Sequence, residues 1–411
     1  MDSLPLLDCF YSERNKMKKT ISIIGGGPSS LLLAAFIDLK KFNVTIFEKN
    51  KTAGRKFLVA GKGGFNLTYS EPILDFIKHY TPNSFLKEPL LNFTNTDFRD
   101  WLKSIGIPTF IGSSKRVYPE KGIKPITVLN TILDHLKEKG ITLKYKHTFS
   151  GWDPKNNPII NSKTISSDYT VFSLGGGSWK ITGSNGKWLD TFKKKEIGTL
   201  PFEASNCVCK INWNLEFIKN NEGNPLKNII ISCSDKTQKG EVVITKFGLE
   251  GNAIYGLSPQ IRKQLKSKKK AIIYIDFKPT LTLEDITSKI INSTFKNTTQ
   301  ILKKELKLSN SQINLLKINL SKKTYLETTL LSKNIKNFKL EITDLGVLDE
   351  AISTVGGIDL KAVDNHFQLH KISNQYCIGE MLDWDAPTGG YLLQACASSG
   401  VFLARHLNTI N

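Results

Sequence analysis

Three clusters of residues in this chain have the types and spacing to do chemistry. The first is Gly25-Gly26-Gly27-Pro28-Ser29-Ser30, with Glu48 and Lys49 beginning 23 residues after Gly25. Gly25 permits a tight turn, and Gly27 lets the main chain approach a pyrophosphate. A helix opening at Pro28 adds unpaired N–H groups and a positive dipole end. Glu48 stands about where a carboxylate accepts hydrogen bonds from a ribose. The third glycine of G-x-G-x-x-G is Ser30, at a position that serves close helix–strand packing.

The second cluster follows directly: Gly54-Arg55-Lys56, then Gly61-Lys62-Gly63-Gly64-Phe65-Asn66. Glycines and cations so close together let backbone pass near a flat anionic ligand; the alternative is a flexible surface loop. The third cluster is Gly379-Glu380, Asp383 and Gly389-Gly390-Tyr391-Leu392. It begins where a strand ends and finishes where a helix starts, so its last amides face an anion or a developing negative charge. Glu380 or Asp383 could hold a polyol hydroxyl, or merely cap the helix. No acid or base is singled out, and Lys62, Asn66, Tyr255 and Asp385 are the candidate polar groups of a catalytic pocket. His366 and His370 are four apart in strand-like surroundings, a weak metal signal.

The elements that must position these clusters are legible. Ile21, Ile23 and Ile24 read as a strand, Leu31 to Leu39 as a helix, and Val44 to Phe47 as a second strand. Strand, glycine turn, helix, strand and acid together predict a dinucleotide site; an ordinary α/β unit with a glycine turn is the alternative. Helical spacing recurs near 73–80, 98–105 and 125–139, with Asp97 a candidate cap. Residues 141–145 alternate as a strand, and 148–174 read as short strands ending in Gly175-Gly176-Gly177. That triplet has no following ribose acid, so a second complete dinucleotide fold is not expected. Residues 196–278 are strand-rich and 281–338 helical. The chain closes with a strand near 375–378 and a helix near 391–407.

Bulk properties exclude some classes. No apolar run reaches about 18 residues, so no membrane span is expected. Residues 1–16 read as an extension and not as a signal peptide. The six cysteines form no CxxC pair, which suits buried thiols in a reducing cytoplasm. The net charge of +20 suggests nucleic acid, yet only six of 57 basic residues are arginines. Phosphate recognition recruits arginine forks, so a nucleic-acid partner is not expected and the lysines read as genome composition. Nothing in the pattern speaks to oligomeric state.

The blocks AGRKFLVAGKGGFNLT, SWKITGSNGKW, GEVVITKFGLEGNAIYGLS, DEAISTVGGI and GEMLDWDAPTGGYLLQACASSG resemble the bacterial aminoacetone-oxidase-like flavoproteins, a family grouped with YhiN/BaiN-type FAD-dependent oxidoreductases. The resemblance runs from about residue 20 to 408. It implies FAD in a discontinuous glutathione-reductase-like Rossmann domain of α/β class, over 20–190 and 350–411. An inserted β-barrel-like domain would span 191–280 and 339–349, with a helical subdomain at 281–338. Gly25, Gly27, Pro28, Ser29 and Ser30 would hold the pyrophosphate and Glu48 the adenosine ribose. Gly54, Arg55 and Lys56 would lie along the phosphates, Gly61 to Asn66 near the flavin, and Gly175 and Gly176 over the adenine side. Gly379, Glu380 and Asp383 would hold the ribitol, and Gly389 to Leu392 the pyrimidine carbonyl. The expected activity is hydride transfer with a small organic substrate, either amine oxidation or reduction of an activated double bond. Oxygen or NAD(P)H would be the redox partner. An RNA-modifying flavoprotein and a non-catalytic sensor are the alternatives.

Overall fold

The computed structural model describes residues 18–59 and 64–410. The opening unit is β1 (Lys19–Ile24), α1 (Pro28–Phe36) and β2 (Phe42–Glu48). Five strands run parallel in the order Gln375–Cys377, Tyr169–Phe172, β1, β2, Thr142–Tyr145. Ile23 and Ile46 are fully buried, as expected of a parallel sheet covered by neighbouring layers. The register pairs Ile24 with both Phe47 and Phe172. Three strands therefore end level, and Gly25, Glu48 and Ser173 emerge at one edge. That carboxyl edge is where open α/β sheets hold ligands.

The C-terminal helix, Tyr391–Thr409, packs along α1. Its small residues Ala395, Ala397, Ser398, Ser399 and Gly400 allow close approach. A methyl group at Gly400 would lie 2.3 Å from the Ser29 carbonyl oxygen. The short strands Phe149–Trp152 and Pro158–Ile160 and the helix Trp188–Lys194 form another layer. There Phe149, Trp152, Phe172 and Phe192 meet edge to face.

The chain leaves this domain along Thr199–Ser205 and returns antiparallel to it along Ser353–Ile358. Between them lies a seven-stranded sheet whose two edge strands are Phe338–Ile342 and Asp344–Leu345. Those edges are consecutive pieces of one segment. The sheet rolls until its ends meet there, and Thr343 donates to Lys210 at 2.9 Å. Closure removes free strand edges, so the expected barrel is present.

Three expectations shift. The insert begins later than 191, because Phe192 and Ile197 belong to the first domain's core. The helices between Leu283 and Lys336 are as expected, but Ile286, Leu302, Leu315 and Leu331 share one apolar core with barrel residues such as Ile231 and Ile273. Asp97 is not a cap: Thr94 caps helix Asn95–Ser104, and Asp97 closes the capping box from its third position. A further helix, Asn83–Asn92 with Pro89 inside it, lacked a clear apolar period. Among the described residues no helix is long and apolar enough to cross a membrane.

Candidate dinucleotide-binding site

The glycine turn divides its work. Gly25 has φ +107°, and a Cβ there would lie 2.2 Å from the Ser173 carbonyl oxygen. Only glycine meets both demands. Gly27 is different: its backbone is extended, and a Cβ would meet nothing within 4 Å. It faces open space, as a cradle for a bulky anion must. Gly27 is also the N-cap of α1, with no side-chain cap on the first-turn amides and Pro28 at the helix start. The remaining N–H groups are left for a ligand. Ser30 departs from its expected place. It is fully buried, and its hydroxyl donates to the Gly25 carbonyl, so it packs the turn while Ser29 lines the cleft.

Glu48 closes the other wall. Its carboxylate accepts from the Gly26 amide at 2.8 Å and from the amide and side chain of Asn50 at 2.7 Å each. Three N–H groups aim it, and a carboxylate keeps further lone pairs for hydroxyls. These residues line a cleft of about 400 Å³ with Lys49, Gly54, Arg55, Lys56, Gly175 and Glu380, a size suited to a cofactor. Burial outweighs the neighbouring Glu48 carboxylate and lowers the Lys49 ammonium below its ordinary value, with help from Lys187. Arg55 donates to the Asn50 side chain at 3.3 Å.

Lys56 does not run free along the wall. Its ammonium bridges both Glu380 oxygens at 2.9 and 3.0 Å and reaches Ser178 at 3.1 Å. Gly176 sits behind the wall, where a Cβ would strike Thr354 Oγ1 at 2.1 Å. Gly379, at φ +77°, is required by Ser29, whose Oγ would be 2.2 Å from a Cβ. Asp383 is not in the cleft: its Oδ1 accepts from the Gly356 amide at 2.8 Å, and burial raises its carboxyl above the ordinary range. Cys396, Asn185, Lys187 and Trp188 line the cleft and escaped the sequence reading. The block SWKITGSNGKW carried three of them, but no spacing rule marked them.

Gly389 to Leu392 are not among the residues that line this cleft. Gly389 and Gly390 have φ +106° and +107°, and a Cβ at Gly390 would lie 2.4 Å from Thr68 backbone. Tyr391 opens the C-terminal helix. Its phenol donates to Glu71 at 2.7 Å, and its carbonyl accepts from Tyr80 at 2.7 Å. Leu392 is partly exposed beside it. Gly64 is exposed at φ +106°, whereas Gly61, Lys62 and Gly63 lie outside the described residues. Among the described residues the Asn66 side-chain oxygen is buried with no partner, a position that suits a ligand N–H donor. Tyr255 and Asp385 line a separate crevice against the insert. Asp385 is ion-paired with Arg262 and accepts from Ser205 at 2.7 Å.

The sequence profile of the HI0933-like protein Rossmann domain matches residues 19–406. The chain belongs to that family. It is an FAD-dependent oxidoreductase, and the open Gly27 cradle, the aimed Glu48 and the unpartnered Asn66 oxygen fit the cofactor. Curated relatives include a ribosomal RNA dihydrouridine synthase of Escherichia coli, 21% identical and covering 94% of this chain and 97% of its own length. A 3-dehydro-bile acid delta(4,6)-reductase of Clostridium scindens is 22% identical over 94% and 98%. Among solved structures, an open flavocytochrome c3 fumarate reductase is 13% identical, covers 96% of this chain and 79% of its own length, and has a TM-score of 0.49. None of these bears an amine-oxidase name.

Proposed function

We propose that this chain is a flavin-dependent reductase that saturates a carbon–carbon double bond conjugated with a carbonyl. The carrying observation is the cleft, whose Lys49, Arg55, Lys56 and Lys187 outnumber its carboxylates Glu48 and Glu380 and suit a pyrophosphate. The relatives' names add the direction. Dihydrouridine formation and delta(4,6) reduction both saturate such a bond, and both relatives align nearly end to end with this chain.

When bound, FAD supplies two-electron hydride chemistry. The chain's part is binding and electrostatics. Gly27 and the first amides of α1 take the pyrophosphate, and Glu48 takes the adenosine ribose. Glu380, steadied by Lys56, takes the ribitol. Amides at Gly390 to Leu392 stabilise negative charge at the pyrimidine end of the ring. A dihydronicotinamide is the proposed reductant. The test is anaerobic: oxidised flavin absorbance that bleaches with NADH or NADPH and returns with an enone supports the reading. Bleaching only by amines, with oxygen uptake, would establish the amine-oxidase alternative.

A second reading narrows the substrate to a uracil ring in RNA. Residues 206–346 hold 24 lysines and arginines against 12 acids, a net +12 of the chain's +20. Charge so concentrated in the insert is not what uniform genome composition produces, and it favours a polyanion. Salt-dependent retardation of ribosomal RNA, with dihydrouridine formed on adding reductant, would establish it. No retardation at low salt would remove it.

A further inference from the structure

A second recess lies at the seam between the domains. It is lined by His79, Thr81, Asp385, Ala386 and Pro387 from the flavin domain and by Lys236, Tyr255, Gly256 and Pro259 from the insert. Its volume, about 10 Å³, holds one group the size of a water molecule and no ring. His79 of this crevice packs on Tyr391 at 4.7 Å, so the crevice abuts the helix start whose amides are proposed above to face the flavin's pyrimidine end.

Two donors meet there. Lys236 is half-buried, and among the described residues its ammonium has neither a hydrogen-bond partner nor a carboxylate within 4 Å. Asp385 is engaged by Arg262 and Ser205. Burial lowers the Lys236 ammonium below its ordinary value, although Asp385 and Asp235 act on it from a distance. A partly buried cation with no carboxylate in contact is costly and suits an oxygen that becomes negative. His79 is the other donor. Its Nε2 lies 3.3 Å from Glu71 Oε1, and its ring packs on Tyr391 at 4.7 Å. Burial pushes the Glu71 carboxyl up, but hydrogen bonds from His79 and Tyr391 outweigh it and hold the group low. Glu71 thus stays an acceptor that orients the imidazole.

We propose that this crevice receives the substrate's carbonyl oxygen, with Lys236 as its electrostatic anchor and His79 as its proton donor. The inference rests on the reductase reading above. With reduced FAD bound, hydride delivered to the β carbon would form the new C–H bond and send the C=C electron pair through the conjugated system onto the oxygen. That oxygen takes the proton from the His79 ring nitrogen that does not face Glu71, Nε2 remaining on Glu71, and the resulting enol ketonises in water. The His79 side chain is 29% accessible, so the imidazole regains a proton from solvent.

The test uses holoprotein and two probes. The phenolate of 4-hydroxybenzaldehyde reports oxygen-site binding through a charge-transfer band with oxidised flavin. Cyclohex-2-enone, added to dithionite-reduced protein, reports turnover. Lys236→Met should raise the phenolate Kd about tenfold or more, and Lys236→Arg should restore most of it. His79→Gln should leave that Kd within about twofold and slow enone turnover by about 10²-fold, as for a lost general acid. Glu71→Gln should lower kcat with little change in KM. Retained FAD absorbance certifies folding, with Lys236→Gln as the second variant. Wild-type Kd and turnover in the Lys236 and His79 variants would overturn the subsite and leave the reductase reading intact. Wild-type flavin that dithionite bleaches but no enone or uridine RNA reoxidises would overturn both.

Discussion

Two recesses of this molecule, the flavin cleft and the crevice at the seam, differ in what faces the ligand. The anion-facing turn of the flavin cleft is main chain from one short stretch, Gly25, Gly27 and Gly54 with a helix start, while its other walls come from residues as distant as Lys187, Glu380 and Cys396. The crevice is made of side chains from segments more than 300 residues apart, from His79 to Pro387. Main-chain recognition reads what every FAD molecule shares. Side-chain recognition across a seam is where a family changes its substrate while keeping its cofactor.

The strongest way to break that comparison is Gly27→Asp. A carboxylate in the open cradle should abolish flavin retention, with a loss in affinity above about 100-fold from like-charge repulsion and lost space. The purified protein should be colourless yet still cooperatively folded. Full flavin content would mean that the cradle is not where the pyrophosphate lies. The next largest effect should fall on the other recess. Arg262→Ala leaves Asp385 buried and unpaired, and a broken buried pair costs about 3–5 kcal/mol. The denaturant midpoint should fall while FAD affinity per folded molecule holds, which would show that the recesses are energetically separable.

Gly390→Ala sharpens the comparison, because Gly390 caps the helix whose first residue, Tyr391, packs on the crevice's His79 at 4.7 Å and whose amides are proposed to face the flavin. Its φ of +107° and its contact with Thr68 should cost about 1–3 kcal/mol. Both FAD affinity and phenolate binding should weaken, as titrations of each would show. A smaller effect should come from a site remote from both. His406 stacks on His366 with ring centres 3.8 Å apart. Burial, then the His366 charge, lowers the His406 imidazole below its ordinary 6.5, against a raising effect of Asp364. The folded state therefore binds that proton less readily than the unfolded state. Stability should fall as pH drops from about 6.5 towards the folded value and be flat above it. His406→Asn should flatten that part of the profile of urea midpoint against pH, without altering flavin content.

Much of the flavin cleft was legible because its signals are local. Gly25, Gly27 and Glu48 mark a turn and a strand end that any βαβ unit must place together. The misses have equally local reasons. Ser30 satisfies its own turn's carbonyl, which spacing cannot reveal, and Asp383 is drawn away by the Gly356 amide. Asp97 occupied a plausible cap position, but Thr94 stood three residues earlier and took it. Asn185 and Trp188 reach the cleft through tertiary contacts, Trp188 donating to the Gly175 carbonyl at 3.0 Å.

By itself the sequence determined the parallel sheet, the glycine cradle and the fact of an insert. Apolar periodicity and glycine placement act over a few residues and survive without knowledge of the fold. Only the tertiary structure decided that residues 338–345 close the barrel, that Arg262 meets Asp385, and that His79 and Lys236 face one crevice. Those pairings join segments tens to hundreds of residues apart. They are set by how whole layers pack, for which no local spacing carries a signal.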